Sequence, residues 1–296
     1  MLNSASHTKI LPGEGSAPLH PPVREASVPS RGAEIWTRTC GAAAAGAVLL
    51  VIHGGPGLSH EYLLGLEQLA GERLAVIHYD QRGCGRSTGA VTYYSDFSLA
   101  GYVQDLEAVR AALAGRPVHI LGHSWGGLVA MAYALAYPEQ VVSLLLVGSV
   151  PPTMRALLEG GTRMDQRVAA LQAAGWIPAV LPEDPIAREQ QLSPAYFADA
   201  RRPVPGDFRD FRRSVLELTV ANLVDYDLTA DLSSLTQPVM LIFGTEDPFG
   251  LEWVGETRAA LTQAQVQVSL IEDCGHYYWL ECPDRFFDRV RAFLQI

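Results

Sequence analysis

Pro117-Val118-His119-Ile120-Leu121-Gly122-His123-Ser124-Trp125-Gly126-Gly127-Leu128-Val129-Ala130-Met131-Ala132 is the stretch that decides how this chain is read. An apolar run of strand length passes into the pattern G-x-S-x-G and then into small residues that read as a helix. Ser124 is therefore expected on a sharp strand-to-helix turn, its hydroxyl projecting above a sheet. The flanking glycines leave room for a strained backbone and a close helix. A serine so placed is a candidate nucleophile. It requires backbone donors for an oxyanion, and then an acid and a histidine later in the chain.

The donors are sought first in the preceding sequence. Val48-Leu49-Leu50-Val51-Ile52 is continuously apolar, as expected of a central parallel strand buried on both faces. It runs into His53-Gly54-Gly55-Pro56-Gly57, a loop without bulky side chains between His53 and Leu58. The N–H of Gly55 is expected to pair with that of Trp125 as an oxyanion hole, with Gly54 beside it in the substrate-binding surface. A phosphate cradle would end in Gly-Lys-Ser/Thr or follow G-x-G-x-x-G, and neither pattern is present.

The acid and the histidine follow two later strands. Pro238-Val239-Met240-Leu241-Ile242-Phe243 ends in Gly244-Thr245-Glu246-Asp247-Pro248, which puts Asp247 past a strand end, with Glu246 as a rival one residue away. Val266-Gln267-Val268-Ser269-Leu270-Ile271 reads as the last strand and leads to Glu272-Asp273-Cys274-Gly275-His276. Of eight histidines, His276 has the position that the order Ser, Asp, His requires. His53, His78, His119 and His123 read as structural or pocket-lining residues, and His7, His20 and His60 as exposed ones.

Strand and helix signals alternate over the first half: strand 47–52, helix 60–70, strand 73–79, helix 99–114, strand 117–122, helix 126–136, strand 141–147. A hairpin formed by Arg24 to Pro29 and Ala33 to Thr39 precedes them. This is the pattern of an α/β, mostly parallel, doubly wound sheet. The rhythm breaks at Pro151-Pro152. Helical patches at 154–174, 183–191, 194–202 and 207–224, punctuated by prolines, then read as an inserted helical cap that roofs the serine. The expected organisation is a tail at 1–22, a core in two parts at 23–150 and 236–296, and the cap at 151–235.

Composition narrows the function classes. A chain of 296 residues, 48% hydrophobic, can bury a large core, and a net charge of −10 argues against nucleic acid or an anionic membrane surface as partner. No secretory leader pattern and no apolar run of membrane-spanning length is seen. Cys40, Cys84, Cys274 and Cys282 lack zinc-ligand or CxxC spacing, so a reduced, cytoplasmic chain without a metal or cofactor is expected. Cys84 and Cys274 fall in loops beside the presumed site, where alkylation is expected. Nothing in the chain sets its oligomeric state.

With these residues in place, the chain resembles the α/β-hydrolase superfamily, and within it the proline iminopeptidase branch. The similarity runs from about residue 23 to the end, outside the cap. His53-Gly54-Gly55-Pro56-Gly57 and Asp80-Gln81-Arg82-Gly83-Cys84-Gly85-Arg86-Ser87 look like two signatures of that branch, Ser124-Trp125-Gly126 matches its nucleophile region, and Asp105-Leu106-Glu107-Ala108-Val109-Arg110 resembles the preceding helix. In the second signature Asp80 is expected to pair with Arg82 or Arg86. The chain departs from the branch's usual Gly-Gly-Ser-Trp-Gly-Ser at His123 and Gly127.

The resemblance implies a serine hydrolase with catalytic Ser124, Asp247 and His276, acting on a small-molecule or short-peptide substrate as an aminopeptidase that releases an N-terminal residue. It also implies cap carboxylates that bind the substrate's free amine, with Glu217 as candidate and Asp225 and Asp227 as further ones. The alternatives are a carboxylesterase or lactonase acting on small esters, and a non-hydrolytic lyase, transferase or ligand-binding member of the fold.

Overall fold

Two residues with left-handed backbone, Arg31 (φ 48°) and Gly32 (φ 78°), turn the chain between β1 (Val23–Ser30) and β2 (Ala33–Cys40). Positive φ at both central positions matches the twist of the flanking antiparallel strands. The computed structural model describes residues 21–42, 45–89, 94–202 and 210–296. Residues 1–20 of the anticipated tail, His7 and His20 among them, and 207–209 of the anticipated helix 207–224 lie outside the described residues.

The chain continues through β3 (Ala47–Ile52), β4 (Leu74–Tyr79), the short β5 (Thr88–Gly89), α1 (Leu99–Leu113), β6 (Val118–His123), α2 (Trp125–Ala136) and β7 (Val141–Val147). A helical insertion follows: α3 (Met154–Ala173), α4 (Pro185–Leu192), α5 (Arg213–Asn222) and α6 (Thr229–Leu232). Then come β8 (Val239–Gly244), α7 (Glu252–Ala260), β9 (Val266–Ile271), α8 (Tyr278–Glu281) and α9 (Pro283–Leu294). Caps start two of the inserted helices: Thr153 accepts from Ala156 N–H at 3.3 Å and Asp184 from Ala187 N–H at 2.8 Å.

The strands form one sheet in the order β1-β2-β4-β3-β6-β7-β8-β9, with β5 paired to β2. Every neighbouring pair from β4 to β9 is parallel. The continuous apolar runs are explained by burial on both faces. Val48, Leu50 and Ile52 of β3 pack with Ile120, Leu144 and α2 on one side, whereas Leu49 and Val51 pack with Leu121, Leu145 and α9 on the other. Alternating side chains of one strand thus feed two cores. Truncating one such residue, as in Leu50→Ala, costs about 2–5 kcal/mol.

The segment read as helix 60–70 is a 3₁₀ helix over Glu61–Leu69. Its buried Leu63, Leu66 and Leu69 recur at intervals of three, and that spacing stacks them on one side of a three-residue turn.

The winding places the site. From β3 the chain moves outward to β4 and then returns to lay β6 on the opposite side of β3, so the strand order reverses between β3 and β6. Ligands of open α/β sheets bind outside the carboxyl ends of the strands at such a reversal. His53 to Gly57 leave β3 there, and Ser124 follows β6 directly. Among the described residues no helix is long and apolar enough to cross a membrane.

Candidate active site

Ser124 has φ 53° and ψ −120°, a backbone state unfavourable for a residue with a Cβ. Three hydrogen bonds hold it there: Ser124 N–H donates to Val147 O at 3.0 Å, and Ser124 O accepts from Gly127 N–H at 2.9 Å and Val150 N–H at 3.1 Å. The turn is this tight only because its flanks are glycine. A Cβ on Gly122 would overlap the carbonyl oxygen of Gly126, and one on Gly126 would overlap that of Ile52 in β3.

Gln81 ties the neighbouring loops together. Its side-chain amide donates to His53 O at 2.7 Å, its carbonyl accepts from Trp125 Nε1 at 2.9 Å, and its backbone N–H donates to His53 Nε2 at 2.9 Å. The loop after β3 and the turn after β6 are thereby clamped side by side. Among the described residues neither Gly55 N–H nor Trp125 N–H donates to a protein acceptor. Gly54 N–H is occupied, donating to Tyr62 Oη at 2.6 Å.

Asp247 and His276 meet: His276 Nδ1 donates to Asp247 Oδ2 at 2.8 Å, both side chains being buried. Tyr278 Oη donates to the same oxygen at 2.5 Å, and Phe249 N–H to the other at 3.1 Å. Glu246 is exposed, and its backbone N–H donates to Cys274 O. No hydrogen bond joins Ser124 to His276, but both line one cavity of about 160 Å³ with Gly55. Such contacts are often long in unliganded sites.

The insertion contributes Glu189, Ser193, Tyr196, Phe211 and Leu216 to that cavity. Several hydrogen bonds fasten the insertion to the loops, three of them beside the site. His276 N–H donates to Tyr196 O at 2.7 Å, Arg212 N–H to Gly57 O at 2.7 Å, and Glu281 accepts from both Ala198 N–H and Gly275 N–H. Glu217 lies outside: its side chain is 62% exposed and accepts from Arg213 Nε at 2.8 Å, one helical turn away. Asp225 and Asp227 are exposed and line no part of the cavity.

The carboxylate in the cavity is Glu189. No described residue hydrogen-bonds it, and burial raises its carboxyl above the ordinary value despite the nearby Arg188 charge. The buried Ser193 hydroxyl, one turn on, also has no partner among the described residues. Sequence reasoning passed over both. Glu189 sits in a polar helix, Pro-Ile-Ala-Arg-Glu-Gln-Gln-Leu, whose pattern gives no sign of an inward acid.

Several expectations need correction. Asp80 does not pair with an arginine: Oδ1 accepts from His60 Nδ1 at 2.8 Å and His60 N–H at 2.9 Å, and Oδ2 from Arg86 N–H at 2.8 Å. Arg82 instead forks onto Asp105 of α1 at 2.6 and 2.9 Å, and Arg86 reaches Glu25 and lies over Trp36. His60, read as exposed, is buried against Trp36. Cys84 and Cys274 are buried as well, and burial pushes both thiols up, which disfavours the thiolate that alkylation needs. Among the described residues no three His, Cys, Asp or Glu side chains are grouped to hold a metal ion.

Comparison with known proteins adds a lineage to this geometry. A family model described as the alpha/beta hydrolase family matches residues 48–289. The proline iminopeptidase of Lactobacillus helveticus (strain DPC 4571) is 29% identical over 292 residues, spanning 91% of this chain and 97% of that protein. The proline iminopeptidase of Heyndrickxia coagulans is 30% identical over 273 residues, spanning 84% and 91%. Among solved structures, the Mycobacterium smegmatis proline iminopeptidase superposes with a TM-score of 0.72 at 26% identity, covering 92% of this chain and 98% of that one.

Proposed function

Because the chain belongs to the alpha/beta hydrolase family, in its proline iminopeptidase-like branch, and is thus a hydrolase, we propose that it is a serine aminopeptidase releasing a small N-terminal residue from short peptides. The observation that carries this reading is one cavity bordered by Ser124, by the Asp247–His276 pair and by the unpaired carboxylate of Glu189.

The chemistry follows from which atoms can donate. His276 Nδ1 carries the proton given to Asp247, so Nε2 is free to accept one from Ser124 Oγ. Ser124 attacks the carbonyl carbon of the N-terminal residue, and the oxygen that becomes negative is met by Gly55 and Trp125 N–H. His276 then returns the proton to the departing amine. Water, deprotonated by the same histidine, frees the amino acid from the serine ester.

Substrate choice rests on the cap. The protonated amine of a peptide is costly to bury unless a carboxylate meets it, and Glu189, with the Ser193 hydroxyl beside it, offers that partner. A cavity of about 160 Å³ suits one small residue; an apolar cavity of about 150 Å³ holds benzene.

The test compares prolyl and alanyl anilides, free and N-acetylated, with a neutral acyl ester. Free-amine substrates are expected to lead by at least about tenfold in kcat/KM, the worth of one charge-assisted hydrogen bond. Equal turnover of acetylated amides or simple esters would replace this reading with an esterase or lactonase.

A further inference from the structure

Three hydrogen bonds run in one direction through the floor of the cavity. Gly54 N–H donates to Tyr62 Oη at 2.6 Å, Tyr62 Oη lies 2.9 Å from His123 Nδ1, and His123 Nε2 lies 3.1 Å from the carbonyl oxygen of His276. The two ends set the proton positions. A backbone N–H can only donate and a carbonyl can only accept, so His123 must carry its proton on Nε2. A neutral imidazole then presents Nδ1 as an acceptor, and the phenol of Tyr62 supplies the proton. One tautomer satisfies every bond. Burial, with the His276 ring nearby, keeps the His123 ring well below its ordinary pKa, which favours the neutral form the chain requires.

The members are locked from the sides. His123 is 2% exposed, and Trp279 meets its ring edge-on at 4.8 Å. Trp279 Nε1 in turn donates to Tyr62 O at 3.0 Å, so one indole holds both members. The chain touches all three loops of the site: Gly54 precedes Gly55, His123 precedes Ser124, and the last acceptor belongs to His276 itself.

We propose that Tyr62 and His123 are positioning residues that set the Gly55 donor, the Ser124 turn and the His276 loop in register. This inference rests on the serine-hydrolase reading above. Neither side chain has to touch the reacting atoms. Their effect is carried by backbone placement, and a misplacement of about 1 Å in such a site can cost on the order of a hundredfold in rate.

Tyr62→Phe removes one hydroxyl and keeps the ring. Expected is a fall in kcat of about 10- to 100-fold with KM within about twofold, a melting transition that stays cooperative but moves to lower temperature because Gly54 N–H and His123 Nδ1 lose their partner, and a matching drop in the rate at which a fluorophosphonate labels Ser124. His123→Phe should show the same split, and His123→Gln, which keeps one donor and one acceptor, should recover most of the loss. Wild-type kcat in a folded Tyr62→Phe, with Ser124 labelled at the normal rate, overturns the proposal alone. A fluorophosphonate adduct that maps away from Ser124 in the unmutated protein overturns it together with the reading beneath it. Should Tyr62→Phe lose its native melting transition, the histidine pair decides: recovery by glutamine supports the relay, and equal loss in both variants rejects it.

Discussion

The phenol of Tyr278 donates to Asp247 Oδ2, the oxygen that also accepts from His276 Nδ1 at 2.8 Å. With Phe249 N–H on Oδ1, a buried carboxylate thus has donors on both oxygens, which offsets the cost of removing it from water. An amide at this position cannot accept at both sites. Asp247→Asn is therefore expected to lower kcat by about 10⁴-fold, the loss typical when the histidine is left in the wrong tautomer. Steady-state kinetics beside Glu246→Gln, expected to match wild type, checks the assignment; the reverse ranking would move the role to Glu246.

In the proposed mechanism Ser124 combines the nucleophile's role with a strained backbone, and the two can be separated. Ser124→Ala should lose on the order of 10⁴–10⁶ in kcat with its fold intact. Ser124→Gly should be as inactive yet more stable than Ser124→Ala by about 1 kcal/mol, because glycine relieves a φ of 53°. Differential scanning fluorimetry of the two dead variants makes the comparison. Equal melting points would show that the turn stores no strain.

Glu189→Gln should raise KM for free-amine substrates about 10- to 100-fold and leave a neutral ester unaffected. Glu217→Gln, on an exposed face, should change neither. The same carboxyl gives a pH signature. Its folded-state pKa is raised by burial, so as pH falls it takes up a proton earlier than an ordinary glutamate and releases the amine. kcat/KM for free-amine substrates should then fall on acidification while that for the ester holds longer. A free-amine profile that parallels the ester profile would argue against Glu189.

Acid lability is expected from two buried histidines. Burial lowers the pKa of His53 to about 4 and that of His78 to about 3. Each is below its unfolded value of 6.5, so the unfolded chain binds protons first as pH drops. Stability is therefore full above about pH 6.5 and declines below it, by on the order of 2 kcal/mol per histidine at about pH 5. Both ring nitrogens of His78 lack partners among the described residues, so His78→Leu should flatten that decline and add about 1 kcal/mol at neutral pH. Urea midpoints at about pH 7 and about pH 5 read both effects, and an unchanged pH slope in the variant would rule His78 out as a source.

The strands β3, β6, β7 and β8 were legible from sequence because their apolar runs can be buried only between two layers of helices, and the loops leaving them carry the glycines a tight turn needs. The short spacing of Leu63, Leu66 and Leu69 could also have announced a 3₁₀ helix, since that signal is local. Partner choice was not legible. Asp80 meets His60, Arg82 meets Asp105, and the insertion turns Glu189 rather than Glu217 toward the serine. Sequence by itself determined where backbone hydrogen bonding and contiguous burial leave one solution: the positions of the strands along the chain, the serine turn and the loops at the strand ends. Only the tertiary structure decided which charges and rings meet, because those contacts join residues 20 or more positions apart and depend on how whole elements pack.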